Sequence, residues 1–169
     1  LINRGTDGLF MWPDKNFIVS CEEGTVNLYT VSGDLLTASY STSSVSLNLG
    51  NIVSFANNGD YVFMAAGGVI NYINATGTIA QMADPDAPAT VTHVAYLDGY
   101  ILAIDGTTGK FYWADVNTPT SWSALSFATA EANPDVVQAL HVVQRQIYLI
   151  GTVTTEFWYN DGVSPFSRI

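Results

Sequence analysis

The chain has 169 residues, of which 48% are apolar and only 12% are charged. A chain of this size and composition forms one globular domain with a sizeable core. Fifteen acids against five scattered bases give a net charge of −10, which excludes a surface that grips nucleic-acid phosphates. Cys21 is the single cysteine, so no intramolecular disulfide or cysteine metal site forms, and we expect it to be a small buried residue. The longest apolar stretch, Val62 to Ile70, is too short to span a bilayer, which predicts no membrane partner.

A repeat runs along the chain. Four apolar runs begin at Phe17, Tyr61, Tyr100 and Ile147, so their starts are separated by 44, 39 and 47 positions. A glycine-bearing turn and a second run follow each of them, and the second run carries a tyrosine 11 or 12 positions after the first run starts. These tyrosines are Tyr29, Tyr72, Tyr112 and Tyr159. A fixed spacing of this kind predicts a repeated structural unit.

The third unit shows the predicted elements most clearly. In chain order they are a strand from Val91 to Tyr96, a hairpin turn at Asp98-Gly99, a strand from Tyr100 to Ile104, a turn at 105–109, a strand from Lys110 to Asp115, a turn at Asn117-Thr-Pro119 and a strand from Trp122 to Ala128. Asp-Gly between apolar runs is a strong hairpin signal. The second unit repeats the plan with turns at Asn57-Asn-Gly59 and Gly67-Gly68, and the first and fourth are less complete.

Four strands in about 40–50 residues are typical of a β-propeller blade. We therefore predict an all-β propeller with four four-stranded blades at about 8–46, 51–84, 91–130 and 136–169, and helix content near zero. The innermost strands should be Val91 to Tyr96 and their equivalents. Because blades stack face to face, the continuously apolar runs Tyr61 to Ala66 and Tyr100 to Ile104 should be almost fully buried. A β-sandwich or β-solenoid is the structural alternative. The chain opens on Leu1 and stops within an apolar pattern, which predicts a piece of a larger protein.

Motifs for catalysis are missing from the sequence. The nearest match to a sialidase Asp-box, at Asp105, lacks the serine and misplaces the glycine. There is no Gly-x-Ser-x-Gly elbow and no phosphate-binding Gly-x-x-x-x-Gly-Lys loop. We predict no catalytic residue, no cofactor site and no metal site.

Three sets of residues remain open to a functional interpretation. His93 and His141 form either a metal or acid–base pair or, as we favour, two locally hydrogen-bonded strand histidines. Asp84 and Asp86, in the proline-stiffened loop Asp84-Pro-Asp86-Ala-Pro88, bind a cation or, as we favour, form a solvated connection. They are the candidate residues for interaction with a partner. Four aromatic residues form a sugar-stacking platform or, as we favour, fill the core between blades. They are Trp113, Trp122, Phe157 and Trp158.

The second half of the chain carries more specific motifs. They are Phe111-Tyr-Trp-Ala-Asp-Val-Asn-Thr-Pro119, Ala130-Glu-Ala-Asn-Pro-Asp135 and Gly151-Thr-Val-Thr-Thr-Glu-Phe-Trp-Tyr-Asn160. In this order, over roughly Tyr96 to Ile169, they resemble the packaged-DNA stabilisation proteins of short-tailed bacteriophages, which form the tail hub, or nozzle, below the portal. The resemblance implies a non-catalytic virion protein that is assembled in the host cytoplasm. It further implies a hexameric ring that extends the portal channel, retains packaged DNA and docks other tail, portal and adaptor proteins.

The resemblance carries over no active-site residue. Glu156 and Asn160 belong to the motif, and we interpret them as strand and turn residues that fix blade geometry. An acidic channel wall suits DNA that must slide past without sequence-specific binding. Two other functions stay open. One is a carbohydrate-binding or glycosidase propeller of a phage tail, which would need paired carboxylates beside exposed aromatic residues. The other is a generic protein-interaction propeller.

Overall fold

The computed structural model describes residues 8–22, 25–32, 35–42, 52–130, 135–163 and 165–169, with the backbone alone for Pro13 and 35–42. These residues form sixteen strands and one short 3-10 turn, Pro13–Lys15. The first sheet contains β1 (Gly8–Trp12), β2 (Phe17–Glu22), β3 (Thr25–Ser32) and β4 (Leu35–Thr42). The second contains β5 (Ser54–Asn57), β6 (Tyr61–Ala66), β7 (Val69–Asn74) and β8 (Ile79–Gln81). The third contains β9 (His93–Leu97), β10 (Tyr100–Ile104), β11 (Lys110–Asp115) and β12 (Thr118–Thr129). The fourth contains β13 (Val137–Val143), β14 (Gln146–Gly151), β15 (Thr155–Asn160) and β16 (Phe166–Arg168).

Each sheet is an antiparallel meander whose strands pair in chain order. The first strands of successive sheets lie beside one another, β1 next to β5, β5 next to β9 and β9 next to β13. They are therefore the innermost strands, as the sequence predicted, and the later strands of each sheet lie further out. This arrangement of four stacked four-stranded sheets confirms the predicted all-β propeller. No helix among the described residues is long and apolar enough to cross a membrane.

Three apolar cores lie between the sheets, one at each contact. Val19 and Leu28 of the first sheet meet Val62 and Met64 of the second. The second and third sheets share a core that contains Phe63 and Ile101. The third and fourth share one that contains Leu102, Ile104, Phe111, Leu149 and Trp158. The sheets therefore stack face to face, and burial of these side chains supplies the driving force for stacking.

The middle sheets explain the continuous apolar runs. In β6, Val62 and Met64 face the first sheet whereas Phe63 and Ala65 face the third. Residues 62–66 are at most 4% exposed and residues 101–104 are fully buried, while Tyr61 and Tyr100 are half-buried. The prediction that these runs are buried is confirmed for all but their opening tyrosines.

The structure corrects several predicted details. The first and fourth units are as complete as the others, each with four strands. In the third unit the innermost strand begins at His93, because Val91 makes only an isolated bridge to Gly68. The last strand begins at Thr118, before Pro119, since Asn117 adopts a left-handed conformation (φ 55°) that allows a two-residue turn.

The regular spacing of the four tyrosines predicted a repeated unit, but it does not mark equivalent positions within the sheets. All four tyrosines lie in the third strand of a sheet, but they are not at equivalent positions. Tyr29 pairs with Ile18, the second residue of its run, whereas Tyr72 pairs with Phe63, the third, and Tyr112 with Ala103, the fourth. Two residues separate the paired strand ends in both the first and the second unit, so the different positions of Tyr29 and Tyr72 appear as spacings of 12 and 11. In the third unit a longer turn offsets the different register of Tyr112, and the spacing is again 12.

Candidate functional site: the junction of the third and fourth sheets

Two of the sequence motifs meet at Asp135. This residue precedes β13, and its carboxylate accepts hydrogen bonds from the loop between β14 and β15. Oδ1 accepts the backbone N–H of Thr152 (2.9 Å) and the Thr152 hydroxyl, and Oδ2 accepts the backbone N–H groups of Val153 and Thr154 (both 2.8 Å) and the Thr154 hydroxyl (3.2 Å). Five donors occupy both oxygens, so the carboxylate acts as a clasp on the loop and has no free lone pair for chemistry.

The hydrogen bonds of Asp135 depend on its negative charge and on the absence of a side chain at Gly151. The Thr152 hydroxyl and the backbone N–H groups hold the pKa of Asp135 well below its ordinary value, because they stabilise the charged form. A Cβ added at Gly151 would lie 2.7 Å from the Asp135 Cγ. The glycine of the motif is therefore needed for close approach of the carboxylate.

In the third sheet, the turn between β10 and β11 corresponds to this loop, but its carboxylate acceptor comes from within the turn. There Asp105 lies within the turn, and its Oδ1 accepts the backbone N–H (2.9 Å) and the hydroxyl (2.6 Å) of Thr107. The loop of the fourth sheet has no acid of its own and takes one from the connection between the sheets. The clasp therefore fixes the entry of the chain into the fourth sheet.

A second contact joins the two sheets at their other end. Asp98, in the β9–β10 hairpin, accepts a hydrogen bond from Arg145 of the β13–β14 hairpin (2.8 Å) and one from the Asn160 side chain (3.3 Å). Arg145 is largely exposed, so the ion pair itself contributes about 0–1 kcal/mol. The Asn160 Oδ1 also accepts the Gly162 N–H (3.0 Å), which supports the turn role predicted for this residue.

Glu156 is the buried acid of the motif, at 6% exposure. It accepts the indole N–H of Trp158 (2.9 Å) and lies 3.6 Å from the Arg168 guanidinium. Hydrogen bonding and the nearby charge compensate the carboxylate for its loss of water. Glu156 therefore holds Trp158 and Arg168 in place beside the core between the third and fourth sheets, in agreement with the strand role predicted from the sequence.

The candidate interaction residues lie in the loop between the second and third sheets. Asp84 is half-buried, and its carboxylate accepts the backbone N–H groups of Trp122 (3.0 Å) and Asp86 (2.9 Å). Asp86 is exposed. Asp84 therefore ties the loop to β12, and Asp86 is the acid of this loop that presents its side chain to solvent.

The two histidines lie on neighbouring first strands but not at equivalent positions. Counted from the hairpins that follow them, His141 corresponds to Ala95 and not to His93. The His93 Nδ1 lies 3.3 Å from the Thr92 hydroxyl, and burial lowers its pKa, whereas His141 is exposed. Within the described residues no group of three or more His, Cys, Asp or Glu side chains could hold a metal ion.

Three of the four candidate aromatic residues belong to the inter-sheet cores. Trp122 and Trp158 are buried and Trp113 is half-buried against Phe166, with ring centroids 5.1 Å apart. Phe157 is 41% exposed and packs edge-on against Tyr148 at 4.9 Å. The core interpretation is therefore confirmed for the three tryptophans, whereas Phe157 lies on the side of the fourth sheet that no other described sheet covers. Cys21 is fully buried beside Met64, as expected.

The sequence placed Asp98 in a hairpin turn but did not indicate its contact with Arg145, the hydrogen bonds of Asp135 to the β14–β15 loop, or the need for Gly151. The partners of Asp98 and Asp135 are 47 and 17 positions away in sequence, so no local pattern indicates them. The motif that ends at Asp135 was the available sequence signal for this site. Its residues Glu131 to Pro134 lie outside the described residues.

The stacked meanders and their inter-sheet ties define a β-propeller, and solved structures share this fold. The chain is similar to the computationally designed Ika4 protein, with a TM-score of 0.62, 15% identity, and coverage of 93% of this chain and 92% of that one. It is also similar to virginiamycin B lyase from Staphylococcus aureus (TM-score 0.65, 10% identity, 100% of this chain and 56% of that one). The N-terminal domain of Nup159 gives a TM-score of 0.62 at 11% identity over 96% of this chain and 42% of that one. The chain thus spans about half of the last two proteins.

The family described as "Bacteriophage P22 Gp10, beta-propeller" matches residues 19–167. The chain belongs to this family of phage stabilisation proteins, as its late motifs indicated. No curated protein matches the sequence significantly. Membership makes this a structural protein associated with the virion.

Proposed function

We propose that the chain is part of the tail hub, or nozzle, of a short-tailed phage. As one of about six identical copies it extends the portal channel, retains packaged DNA and docks other tail, portal and adaptor proteins after assembly in the host cytoplasm. Family membership over residues 19–167 is the observation that carries this proposal. The motif residues Asp135 and Asn160 bond across neighbouring sheets and Glu156 bonds within β15, so the motif accounts for the stability of the propeller and leaves the tail-hub role to family membership.

The distribution of acids supports a wall that does not adhere to DNA. Among the described acids only Glu156 lies inside a strand, while the others lie in turns, in loops or at strand ends. The innermost strands β1, β5, β9 and β13 contain no charged residue. Negative charge therefore concentrates at the two rims of the propeller, and we propose that a rim faces the DNA. Like charge there lowers affinity for the phosphate backbone.

We further propose that the protein is not an enzyme and needs no metal. The purified chain should turn over no glycoside, ester or phosphate, and a chelator should leave its thermal unfolding unchanged. A glycosidase activity lost on replacement of an acid would contradict this proposal and favour the carbohydrate-active alternative.

Imaging of assembled particles tests the proposed location. Cryo-electron microscopy should show a ring of about six copies between the portal complex and the distal tail. Sedimentation of the protein with its portal and adaptor partners should give a stable complex. A protein found elsewhere in the particle, or one that never joins such a complex, would overturn the proposal.

The exposed acid of the 84–86 loop offers a finer test of docking. Asp86→Ala should weaken binding of a tail partner if this loop is a contact. Asp60→Ala, which removes an exposed acid from another turn, is the matched control and should bind normally. Asp84 is unsuitable because its replacement would also remove the bond to the Trp122 backbone.

A further inference from the structure

The hairpin between β5 and β6 closes on a short loop. The Asn58 N–H donates to the Tyr61 carbonyl (3.2 Å), which leaves Gly59 and Asp60 as the two loop residues. Gly59 adopts a φ of 94°, a conformation that glycine reaches without strain. Asn58-Gly59 is also the single Asn-Gly pair in the 169-residue sequence. The one asparagine that precedes a glycine is therefore held in a defined turn.

The side chain of Asn58 is fixed by the same turn. Its Oδ1 accepts the backbone N–H groups of Tyr61 (2.8 Å) and Asp60 (3.1 Å). Two donors on a carbonyl oxygen draw electron density away from its carbon, and they stabilise the negative charge that forms on the oxygen when a nucleophile adds to that carbon. The carboxamide carbon of Asn58, Cγ, is therefore activated toward attack.

The next backbone nitrogen along the chain, that of Gly59, is the nucleophile within reach of this carbon. Its N–H donates to the Asn57 Oδ1 (2.6 Å), and this short hydrogen bond polarises the N–H bond that must break before the nitrogen attacks. A Cβ built at Gly59 would meet no atom within 4 Å, so the space around the residue is open. Asp60 is exposed and its neighbours in the turn are half-buried, so water reaches the site.

We propose that Asn58 deamidates in the folded hairpin. Hydroxide removes the Gly59 amide proton, and the nitrogen forms a bond to the Asn58 Cγ. The Cγ–Nδ2 bond then breaks and the departing nitrogen takes a proton from water, so that ammonia leaves and a succinimide ring remains. Water adds to one of the two ring carbonyl carbons and opens the ring to aspartate or isoaspartate. One water molecule is consumed and one ammonia is released, so the reaction needs no oxidant, cofactor or enzyme.

Asn74, in the β7–β8 turn, provides a comparison within the same sheet. Its Oδ1 accepts the backbone N–H groups of Thr76 (3.0 Å) and Thr78 (2.9 Å) and the Thr76 hydroxyl (2.7 Å). The carbonyl of Asn74 is therefore activated in the same way as that of Asn58. The residue that follows it is Ala75, whose methyl group hinders closure of the succinimide ring. We therefore expect Asn74 to stay intact.

The two products should affect the hairpin differently. Aspartate adds a negative charge beside the exposed Asp60 and keeps an acceptor for the N–H groups of the turn. Isoaspartate also inserts a methylene group into the main chain, which displaces the closing hydrogen bond to Tyr61. The hairpin positions Ala56 and Val62, both of which are buried. The isoaspartate product should therefore melt at a lower temperature than the unmodified chain. The proposal goes beyond the tail-hub function and does not rest on it.

Peptide mapping by mass spectrometry tests the site. The folded chain, kept in mildly alkaline buffer, should convert Asn58 to aspartate and isoaspartate with time, whereas Asn74 should stay unmodified. The chain unfolded in urea, which should also convert Asn58, sets the period of observation. Gly59→Ala should slow the conversion about tenfold or more, because the added methyl group hinders the approach of the nitrogen to Cγ. The comparison of Asn58 with Asn74 needs no variant, so the test holds even if Gly59→Ala does not fold.

A second measurement shows whether the reaction takes place in the folded state. Urea below the unfolding transition raises the unfolded population steeply while most chains keep the native hairpin. Conversion in the folded hairpin should proceed at the same rate across these urea concentrations, whereas conversion that required unfolding would accelerate with each addition. An unmodified Asn58 in the folded chain would overturn the proposal, as would equal conversion of Asn58 and Asn74 or a rate that rises with urea. None of these results depends on a portal or adaptor protein.

Discussion

At the scale of single residues, the chain places carboxylates where backbone N–H groups need acceptors. Asp105 and Asp135 do this in matching loops of neighbouring sheets, one from inside its loop and one from outside it. Loop donors that would otherwise depend on water are thereby held in one geometry. Asp135 and Gly151 of the family motif therefore have a role in the fold at this junction.

Replacement of the clasp residue should destabilise the protein in a pH-dependent way. Asp135→Asn should lower the melting temperature at pH 7, because the charged acceptor of three backbone N–H groups is lost. The folded pKa lies below the unfolded value of about 3.9. The stabilisation is therefore complete above the unfolded pKa and is lost as the pH falls through the folded pKa.

Thermal unfolding of both proteins between pH 7 and pH 2 measures this effect. The difference in melting temperature should be constant above about pH 5 and should shrink below about pH 4. Asp60→Asn makes the same charge change at an exposed turn and should show little difference at any pH. A difference that grows on acidification would contradict the clasp.

At the scale of strands, burial depends on how many neighbours a sheet has. The second and third sheets are covered on both sides, whereas β15 of the fourth sheet alternates between exposed and buried residues. Alanine substitutions at two adjacent residues should therefore both lower the free energy of unfolding strongly in β6, but should lower it by different amounts in β15.

In β15, Trp158→Ala should lower the free energy of unfolding by about 3–5 kcal/mol, because it leaves a cavity in the core between the third and fourth sheets. It also removes the indole donor to Glu156. Phe157→Ala, at the neighbouring exposed position, should cost clearly less. Urea unfolding of the isolated chain measures both values, and equal losses would contradict the alternation.

In β6, Phe63→Ala and Met64→Ala should both be costly, at about 3–5 and about 2–5 kcal/mol respectively. Phe63 faces the third sheet and Met64 faces the first, and both are fully buried. The same urea experiment applies. A mild effect of either substitution would mean that one side of this sheet is not covered.

At the scale of the whole molecule, a net charge of −10 governs the relation to DNA. We expect no binding to duplex DNA at about 0.15 M salt, where exposed charges still interact over about 8 Å. Electrophoretic mobility shift at several salt concentrations measures this. Binding that weakens steeply with added salt would reveal a phosphate-contacting surface and would contradict the proposed non-adhering wall.

The sequence by itself determined the repeat, the strands and the family. Apolar runs, Asp-Gly turns and continuously apolar strands such as Tyr100–Ile104 report local conformation and burial on both sides, so a single chain reveals them. The late motifs indicated the phage stabilisation family, which the match over residues 19–167 confirms. The copy number and partners implied by that resemblance stay predictions.

Only the tertiary structure decided which residues meet across the sheets. The clasp of Asp135, the contact of Asp98 with Arg145 and the exposure of Phe157 beside the buried Trp158 depend on strand register and sheet neighbours. A shift of one residue in register moves every side chain to the opposite face. The spacing from Tyr100 to Tyr112 equals that from Phe17 to Tyr29 although the registers differ, because the longer β10–β11 turn offsets the difference.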